Sequence, residues 1–222
     1  KEFKVDPDKE AYDRFLSLEM IWPDNALLRA YVLSPRLGQI SANLLEVSAV
    51  RLYHDNVLAK QSGCGRTPWH FDDHHFPLDT NDVVTAWAPA QPTPIEMGPL
   101  SFAYPLDVHE LIKDVTFEKT GTGYDREVSN IFSKNNVSVN ATPFELGEVS
   151  FHHNLNFHTA SSNRTNCSRI ALANTYYRDG ARVINSPTMV SGDWQKFMPN
   201  VKPGDIAASP LNPICWPVKS EI

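Results

Sequence analysis

The sequence predicts a mainly β fold, a double-stranded β-helix or small jelly roll with helices packed on its outside. From residue 47 onwards, short β-rich runs alternate with loops rich in Pro, Asn, Gly and Asp. Seventeen prolines, many of them after residue 86, suit short strands with irregular connections. The predicted strands cover residues 48–53, 83–88, 100–103, 149–152 and 169–177.

Residues 1–46 are predicted to be mainly helical. A first helix begins at Asp6, which is followed by a proline, and continues through Leu16. Ser34 is also followed by a proline and begins a helix whose apolar residues fall on one face. Between these two, residues 25–32 are predicted to form a short helix.

Two further segments interrupt the predicted β-helix core, which spans residues 47–222. Residues 107–114 are predicted to form a helix, whereas residues 118–140 are polar, lack clear periodicity and are predicted to form a long mobile loop. Loops of that length in compact domains often act as lids over a site. Because no linker or repeat divides the chain, we expect one domain over residues 1–222.

The composition is that of an ordinary globular protein, with 41% hydrophobic and 21% charged residues. A net charge of −6 provides no basic surface, so nucleic acid is not an expected partner. The sequence contains no apolar run of about 18 residues, and we expect no membrane association. It begins with Lys rather than Met, and we expect that an N-terminal stretch precedes it.

The most informative motif is Trp69-His70-Phe71-Asp72, which is followed much later by His158. His70 and Asp72 are two residues apart, so in an extended strand both side chains leave the same face. A second histidine brought in by folding would complete two imidazoles and one carboxylate, the facial triad of non-haem Fe(II) oxygenases. An HxD tripeptide alone is common by chance, and His70 with Asp72 could instead be ordinary surface or turn residues.

The predicted strand 169–177 has an unusually small face, with alanines beside Arg169. Such a face suggests a cavity for an anionic ligand, because the planar guanidinium fork binds both oxygens of a carboxylate. The alternative is a surface arginine on an edge strand. In the strand 83–88, Thr85 and Trp87 share one face, which either lines the same pocket or belongs to the core.

Several further histidines fall in the two motif regions. His74 and His75 are less suitable metal ligands than His70, since only His70 has a carboxylate two residues further on. His152 and His153 either line the substrate pocket, donate hydrogen bonds to the ligands or make ordinary polar contacts.

The cysteines and the sequons point to different locations. Three cysteines without metal-binding spacing favour a reducing, cytoplasmic environment. Four N-x-S/T sequons would carry glycans in a secreted protein, for example a glycan-binding sandwich. Two of them lie between His158 and Arg169, where a glycan would cover the site, so we expect a cytoplasmic location.

From residue 21 to residue 213 the chain resembles the phytanoyl-CoA dioxygenase family of Fe(II)/2-oxoglutarate oxygenases, whose fold is a cupin-like double-stranded β-helix. The resemblance rests on ordered motif segments at family-like spacing: residues 51–55, 67–72, 84–87, 97–102, 147–152 and 158–169. It implies that His70, Asp72 and His158 bind Fe(II), and that Arg169 pairs with the C5 carboxylate of 2-oxoglutarate beside Trp87.

The chain also departs from the family pattern. Ala160 stands where relatives often carry a serine that helps to hold 2-oxoglutarate, which leaves Thr85, Tyr53 or a nearby serine for that contact. Lys60, His75 and His153 are the candidates for substrate contacts. Asp72 argues against halogenation, since related halogenases replace this carboxylate with a small residue.

The resemblance implies a dioxygenase that uses O2 and 2-oxoglutarate to oxidise an unactivated C–H bond of a small organic molecule, releasing succinate and CO2. Hydroxylation is the simplest outcome, and desaturation, epoxidation or cyclisation are alternatives. A different class of protein also fits: an inactive jelly roll that binds a metal or a small anion. The substrate and the oligomeric state stay open.

Overall fold

The computed structural model describes residues 14–117, 123–185, 187 and 193–217. Within them the strands are β1 Phe15–Glu19, β2 Val50–Lys60, β3 Thr67–His70, β4 Val83–Pro89, β5 Leu100–Tyr104, β6 Ser138–Ala141, β7 Ser150–His153, β8 His158–Ala160, β9 Arg169–Arg178 and β10 Ile214–Trp216. The α-helices are α1 Ala26–Val32, α2 Pro35–Leu44, α3 Val108–Ile112 and α4 Gly123–Asn135.

These strands form two antiparallel sheets. The larger has the order β1-β2-β9-β4-β7, with β10 paired to β2, and the smaller has the order β3-β8-β5-β6. Sequential strands alternate between the sheets in the middle of the chain, as a double-stranded β-helix requires. The predicted fold class, mainly β, is therefore confirmed.

The N-terminal prediction is wrong at residues 15–19, which form a strand rather than the end of a helix. β1 pairs along its whole length with β2, from Phe15 opposite Lys60 to Glu19 opposite Asn56. This long-range pairing outweighs the local helical pattern. The proposed start at Asp6 lies outside the described residues.

The predicted loop 118–140 is also wrong over residues 123–135, which form α4, and over residues 138–140, which belong to β6. Tyr124, Val128 and Phe132 are four residues apart, occupy one face of this helix and are all buried. Tyr124 donates a hydrogen bond to the carbonyl of Trp69 (2.8 Å), and Phe132 packs edge-on against the Trp69 ring. Residues 118–122 lie outside the described residues.

Helices cover the outward face of each sheet. Val32 of α1 and Leu37 of α2 pack with Leu52, Val84 and Tyr176 of the larger sheet. α3 and α4 share a second apolar cluster with residues of the smaller sheet. No helix among the described residues has both the length and the hydropathy needed to cross a membrane. The inward faces of the two sheets are left to enclose a cavity.

Candidate metal centre

A cavity of about 300 Å³ lies between the two sheets. On the larger sheet its wall follows from the strand register, which sets His54, Thr175, Thr85 and His152 in one row across four strands. Because directly opposed residues of antiparallel strands point to the same side, this whole row faces inward. The smaller sheet supplies His70, Leu100, His158 and Ala160 to the opposite wall.

The two imidazoles of the predicted triad come from paired strands. His70 ends β3 and lies opposite His158, which begins β8, so that their ring centroids are 4.2 Å apart. Asp72 follows in a turn, where its backbone N–H donates to the carbonyl of Asn154 (2.8 Å). One ligand atom from each of the three side chains lies within 4.8 Å of the other two. The structure thus brings the predicted triad together.

Asp72 reaches the site by a different route from the one that the sequence suggested. Its backbone angles, φ −85° and ψ −13°, are helical, and it precedes the short 3-10 helix Asp73–His75. The expected strand alternation of His70 and Asp72 is therefore wrong. The carboxylate nevertheless lies beside the imidazole of His70, with Oδ1 3.7 Å from Nε2.

The hydrogen bonds of the triad leave the metal-facing atoms free. Nδ1 of His70 donates to the carbonyl of Pro68 (2.8 Å), and Nδ1 of His158 donates to that of Asn156 (2.9 Å). Since a carbonyl only accepts, Nδ1 of each ring carries a proton, and the lone pair of the neutral tautomer is therefore on Nε2. Such bonds fix the orientation of metal-ligating imidazoles.

The charges of the site suit a metal as well. Burial lowers the pKa of His158 well below its ordinary value, so this imidazole is neutral. Burial alone would raise the pKa of Asp72, but the imidazoles of His158, His152 and His70 hold it well below its ordinary value. Neutral imidazoles and an ionised carboxylate are the forms that bind metal, and this donor set fits Fe(II).

Arg169 is a buried cation that faces the same cavity. Its side chain is 2% exposed, its guanidinium carbon lies 5.3 Å from the centre of the Trp87 ring, and its Nε has no hydrogen-bond partner in the described part of the chain. Burial lowers its pKa to about 10, so it stays charged at neutral pH. Arg169 takes part in none of the ion pairs found among the described residues, which include those of Arg51, Arg66 and Arg178. A carboxylate of a ligand would balance its charge.

The other predicted co-substrate residues also line the cavity. Trp87 is buried next to Arg169. The Thr85 hydroxyl bonds that of Thr175 (3.0 Å) and lies 3.5 Å from Oδ2 of Asp72. The Tyr53 hydroxyl donates to the carbonyl of His75 (3.4 Å). Both hydroxyls thus have protein partners.

Lys60 does not line the cavity. It is buried, and its ammonium donates to the carbonyls of Ala160 (2.9 Å) and Ser161 (2.8 Å), just after His158. In return, the Asn163 amide donates to the carbonyls of Lys60 (3.0 Å) and Gln61 (3.3 Å). These contacts join the end of β2 to the loop after β8. Because the Asn163 side chain is fully buried, this sequon cannot carry a glycan in the folded chain.

Of the two histidines of β7, the one predicted to contact substrate points away from the cavity and its neighbour points into it. His153, a predicted substrate residue, does not line the cavity and lies on the opposite face of the strand, where it accepts a hydrogen bond from the Leu155 amide (3.2 Å). His152 is the inward residue, with its Nε2 3.4 Å from Oδ2 of Asp72. His75 lines the cavity as predicted. The pairing of β7 with β4 would have identified His152, but it is not visible in the sequence.

Solved structures with the same fold cover most of this chain. SnoK, a non-haem α-ketoglutarate-dependent carbocyclase from nogalamycin biosynthesis, is 24% identical, with a TM-score of 0.72 over 90% of this chain and 76% of its own. The epimerase SnoN from the same biosynthesis is 19% identical, with a TM-score of 0.70 over 91% and 77%. EctD from S. alaskensis, solved with 2-oxoglutarate and 5-hydroxyectoine, is 15% identical, with a TM-score of 0.65 over 92% and 74%.

A search of curated proteins finds no significant match. By contrast, the sequence profile described as phytanoyl-CoA dioxygenase (PhyH) matches residues 10–171, well over half of the chain. This match includes the triad and Arg169, and it confirms both the predicted family and the predicted class of enzyme, an oxygenase. The chain belongs to the phytanoyl-CoA dioxygenase family.

Proposed function

We propose that this protein is an Fe(II)/2-oxoglutarate-dependent dioxygenase that hydroxylates an unactivated C–H bond of a small organic molecule. One observation carries the proposal: two imidazoles and a carboxylate converge within 4.8 Å in the cavity that also contains the guanidinium of Arg169, which has no ion-pair partner among the described residues. A metal and a dicarboxylate would satisfy these two features together.

His70, Asp72 and His158 would hold the iron through Nε2, a carboxylate oxygen and Nε2. Bound iron would activate O2 at the expense of 2-oxoglutarate, which leaves as succinate and CO2 while the substrate is oxidised. The three residues would bind the metal from one side and would leave its other positions for ligands. The Nδ1 hydrogen bonds of the two histidines and the backbone hydrogen bond of Asp72 support this arrangement before any ligand binds.

Arg169 would bind the distal carboxylate of 2-oxoglutarate. It precedes Ala171, Ala173 and Thr175 on the inward face of β9, and the two alanines leave room for a ligand between the guanidinium and the triad. Trp87, which packs beside Arg169, would form the wall of this half of the cavity. The other half, near His54, His75 and Phe197, is left for the substrate.

The remaining expectations are part of the same proposal. We infer one domain in which both sheets contribute to a single site, and a small molecule as the partner. All three cysteines are free thiols, which supports a cytoplasmic location.

Oxygen-dependent formation of succinate from 2-oxoglutarate tests this function without knowledge of the substrate. With Fe(II), the wild type is expected to form succinate slowly, because the triad and Arg169 would hold iron and 2-oxoglutarate together with an open metal position for O2 even without substrate. Asp72→Ala removes the carboxylate ligand and is the control. Equal succinate from both proteins, although the wild type binds Fe(II), would favour the inactive metal-binding jelly roll instead.

A further inference from the structure

The two oxygens of Asp72 have different surroundings. Oδ1 lies 3.7 Å from Nε2 of His70 and 3.8 Å from Nε2 of His158, so it faces the point where the three ligand atoms converge. Oδ2 lies 3.4 Å from Nε2 of His152 and 3.5 Å from the Thr85 hydroxyl. One oxygen thus faces the metal position, and the other faces β4 and β7.

His152 is fixed for this contact by its strand and by its ring neighbours. His152 is on β7, where it lies opposite Thr85 of β4, and it is 5% exposed. Its ring packs against those of His158 (4.7 Å between centroids) and Phe102 (5.5 Å). Its Nδ1 has no hydrogen-bond partner among the described residues, so the Asp72 carboxylate is the polar contact that orients this buried imidazole.

The orientation of this carboxylate decides how many metal positions stay open. A carboxylate that binds through one oxygen leaves three of six positions, which is the number that a bidentate 2-oxoglutarate and O2 require together. A carboxylate that rotates and binds through both oxygens removes one of them. A hydrogen bond to the second oxygen prevents this rotation, and such outer contacts typically change metal affinity or activity 10- to 100-fold.

We propose that His152 is a positioning residue that holds Oδ2 of Asp72, so that Asp72 binds metal through Oδ1 alone. The inference rests on the proposed function, because it presupposes a metal at the triad. Thr85 assists from the neighbouring strand, although its hydroxyl is shared with Thr175.

Co(II) is a suitable probe for the test because its visible absorption weakens when its coordination number rises. We expect His152→Phe and His152→Leu, which cannot donate to Oδ2, to weaken Co(II) binding about 10-fold and to lower the absorption per bound metal. They should also raise the Kd of 2-oxoglutarate for the Co(II)-loaded protein. His152→Gln keeps a donor and should restore the wild-type spectrum.

His153→Leu is the matched control, since it removes the adjacent histidine on the other face of β7 and should bind Co(II) like the wild type. Melting curves of the metal-free proteins identify any variant that has not folded, and the two replacements of different shape reduce that risk. If folded His152→Phe and His152→Leu bind Co(II) with the wild-type affinity and spectrum, the positioning role is wrong and the proposed function stands. If the wild type itself does not bind Co(II), both are wrong.

Discussion

At the scale of single residues, the burial of the Arg169 guanidinium is the feature that most needs a ligand to explain it. A guanidinium that is 2% exposed and has no carboxylate partner within the described residues carries a desolvation cost. Its contact with Trp87 recovers part of this cost through a cation–π interaction. The rest is offset only when an anionic ligand enters, so the residue is better explained by binding than by stability.

Arg169→Lys therefore tests the co-substrate half of the cavity. Lysine keeps the charge but loses the planar fork, and we expect the Kd of 2-oxoglutarate for the metal-loaded protein to rise roughly 10- to 100-fold. Calorimetric titration under anaerobic conditions measures this constant. Arg178→Lys, at the exposed end of the same strand, alters an ion pair with Asp82 and should leave the Kd unchanged. Equal affinities for all three proteins would show that Arg169 does not bind the ligand.

His54 provides a second prediction at this scale, because it is a neutral histidine in an aromatic environment. Its ring packs against those of Tyr53 (5.2 Å between centroids) and Phe197 (4.8 Å). Burial lowers its pKa from 6.5 to about 4. Between these two values the unfolded chain binds a proton that the folded chain does not, so this group removes stability as the pH falls from 6.5 towards 4.

In His54→Phe the stability should fall less steeply with acid. Relative to the wild type, the variant should gain up to about 2 kcal/mol between pH 6.5 and pH 4, less than the full shift implies because His54 borders the cavity. Urea unfolding at several pH values gives the dependence of the unfolding free energy on pH for each protein. Only the difference between the two pH dependences tests the prediction, since the substitution also changes packing and thereby the absolute stability. Parallel curves would mean that the imidazole titrates normally in the folded chain.

At the scale of elements, the loop after β8 is held from two sides. Lys60 and Asn163 link it to the end of β2. On the other side lies Gly98, whose φ of 74° is in the left-handed region, and a Cβ at this position would meet the Ser161 carbonyl oxygen at 2.2 Å. This loop follows His158 directly, so its position affects the second imidazole of the triad.

Gly98→Ala should be clearly more harmful than Gly180→Ala. Both glycines have positive φ values, 74° and 87°, but a Cβ at Gly180 meets nothing within 4 Å. Gly180→Ala should cost about 1 kcal/mol of backbone strain, whereas Gly98→Ala adds a backbone clash and should cost about 3 kcal/mol or more. Chemical denaturation measures both losses. If the two variants are equally stable, the close approach to Ser161 does not exist in solution.

Strands with clear β-rich runs could be predicted from the sequence, whereas elements with few large apolar residues or a distant partner strand could not. Strands β4, β5, β7 and β9 lie where β-rich runs predicted them. α4 has only a few large apolar residues on a polar helix, and its face becomes evident once the smaller sheet is there to bury it. β1 was mistaken for a helix because its partner, β2, begins more than thirty residues later, and local propensity does not report such pairings.

At the scale of the whole molecule, the site depends on pairings between distant parts of the chain. His70 and His158 meet because β3 pairs with β8, and His152 meets Asp72 because β7 pairs with β4. The chemical nature of the triad and of Arg169 could be inferred from residue types and motif order. The turn that carries Asp72, the inward direction of His152 and the engagement of Lys60 with Ala160 and Ser161 required the three-dimensional structure, because each depends on tertiary packing.

The central claim is that the triad and Arg169 bind Fe(II) and 2-oxoglutarate together. The most direct measurement is an anaerobic titration of the protein with Fe(II) and 2-oxoglutarate, in which a weak metal-to-ligand charge-transfer band in the visible region reports the chelate. The account predicts that this band appears in the wild type and is absent from His158→Ala. A well-folded wild type that shows no band at saturating Fe(II) and 2-oxoglutarate would contradict it.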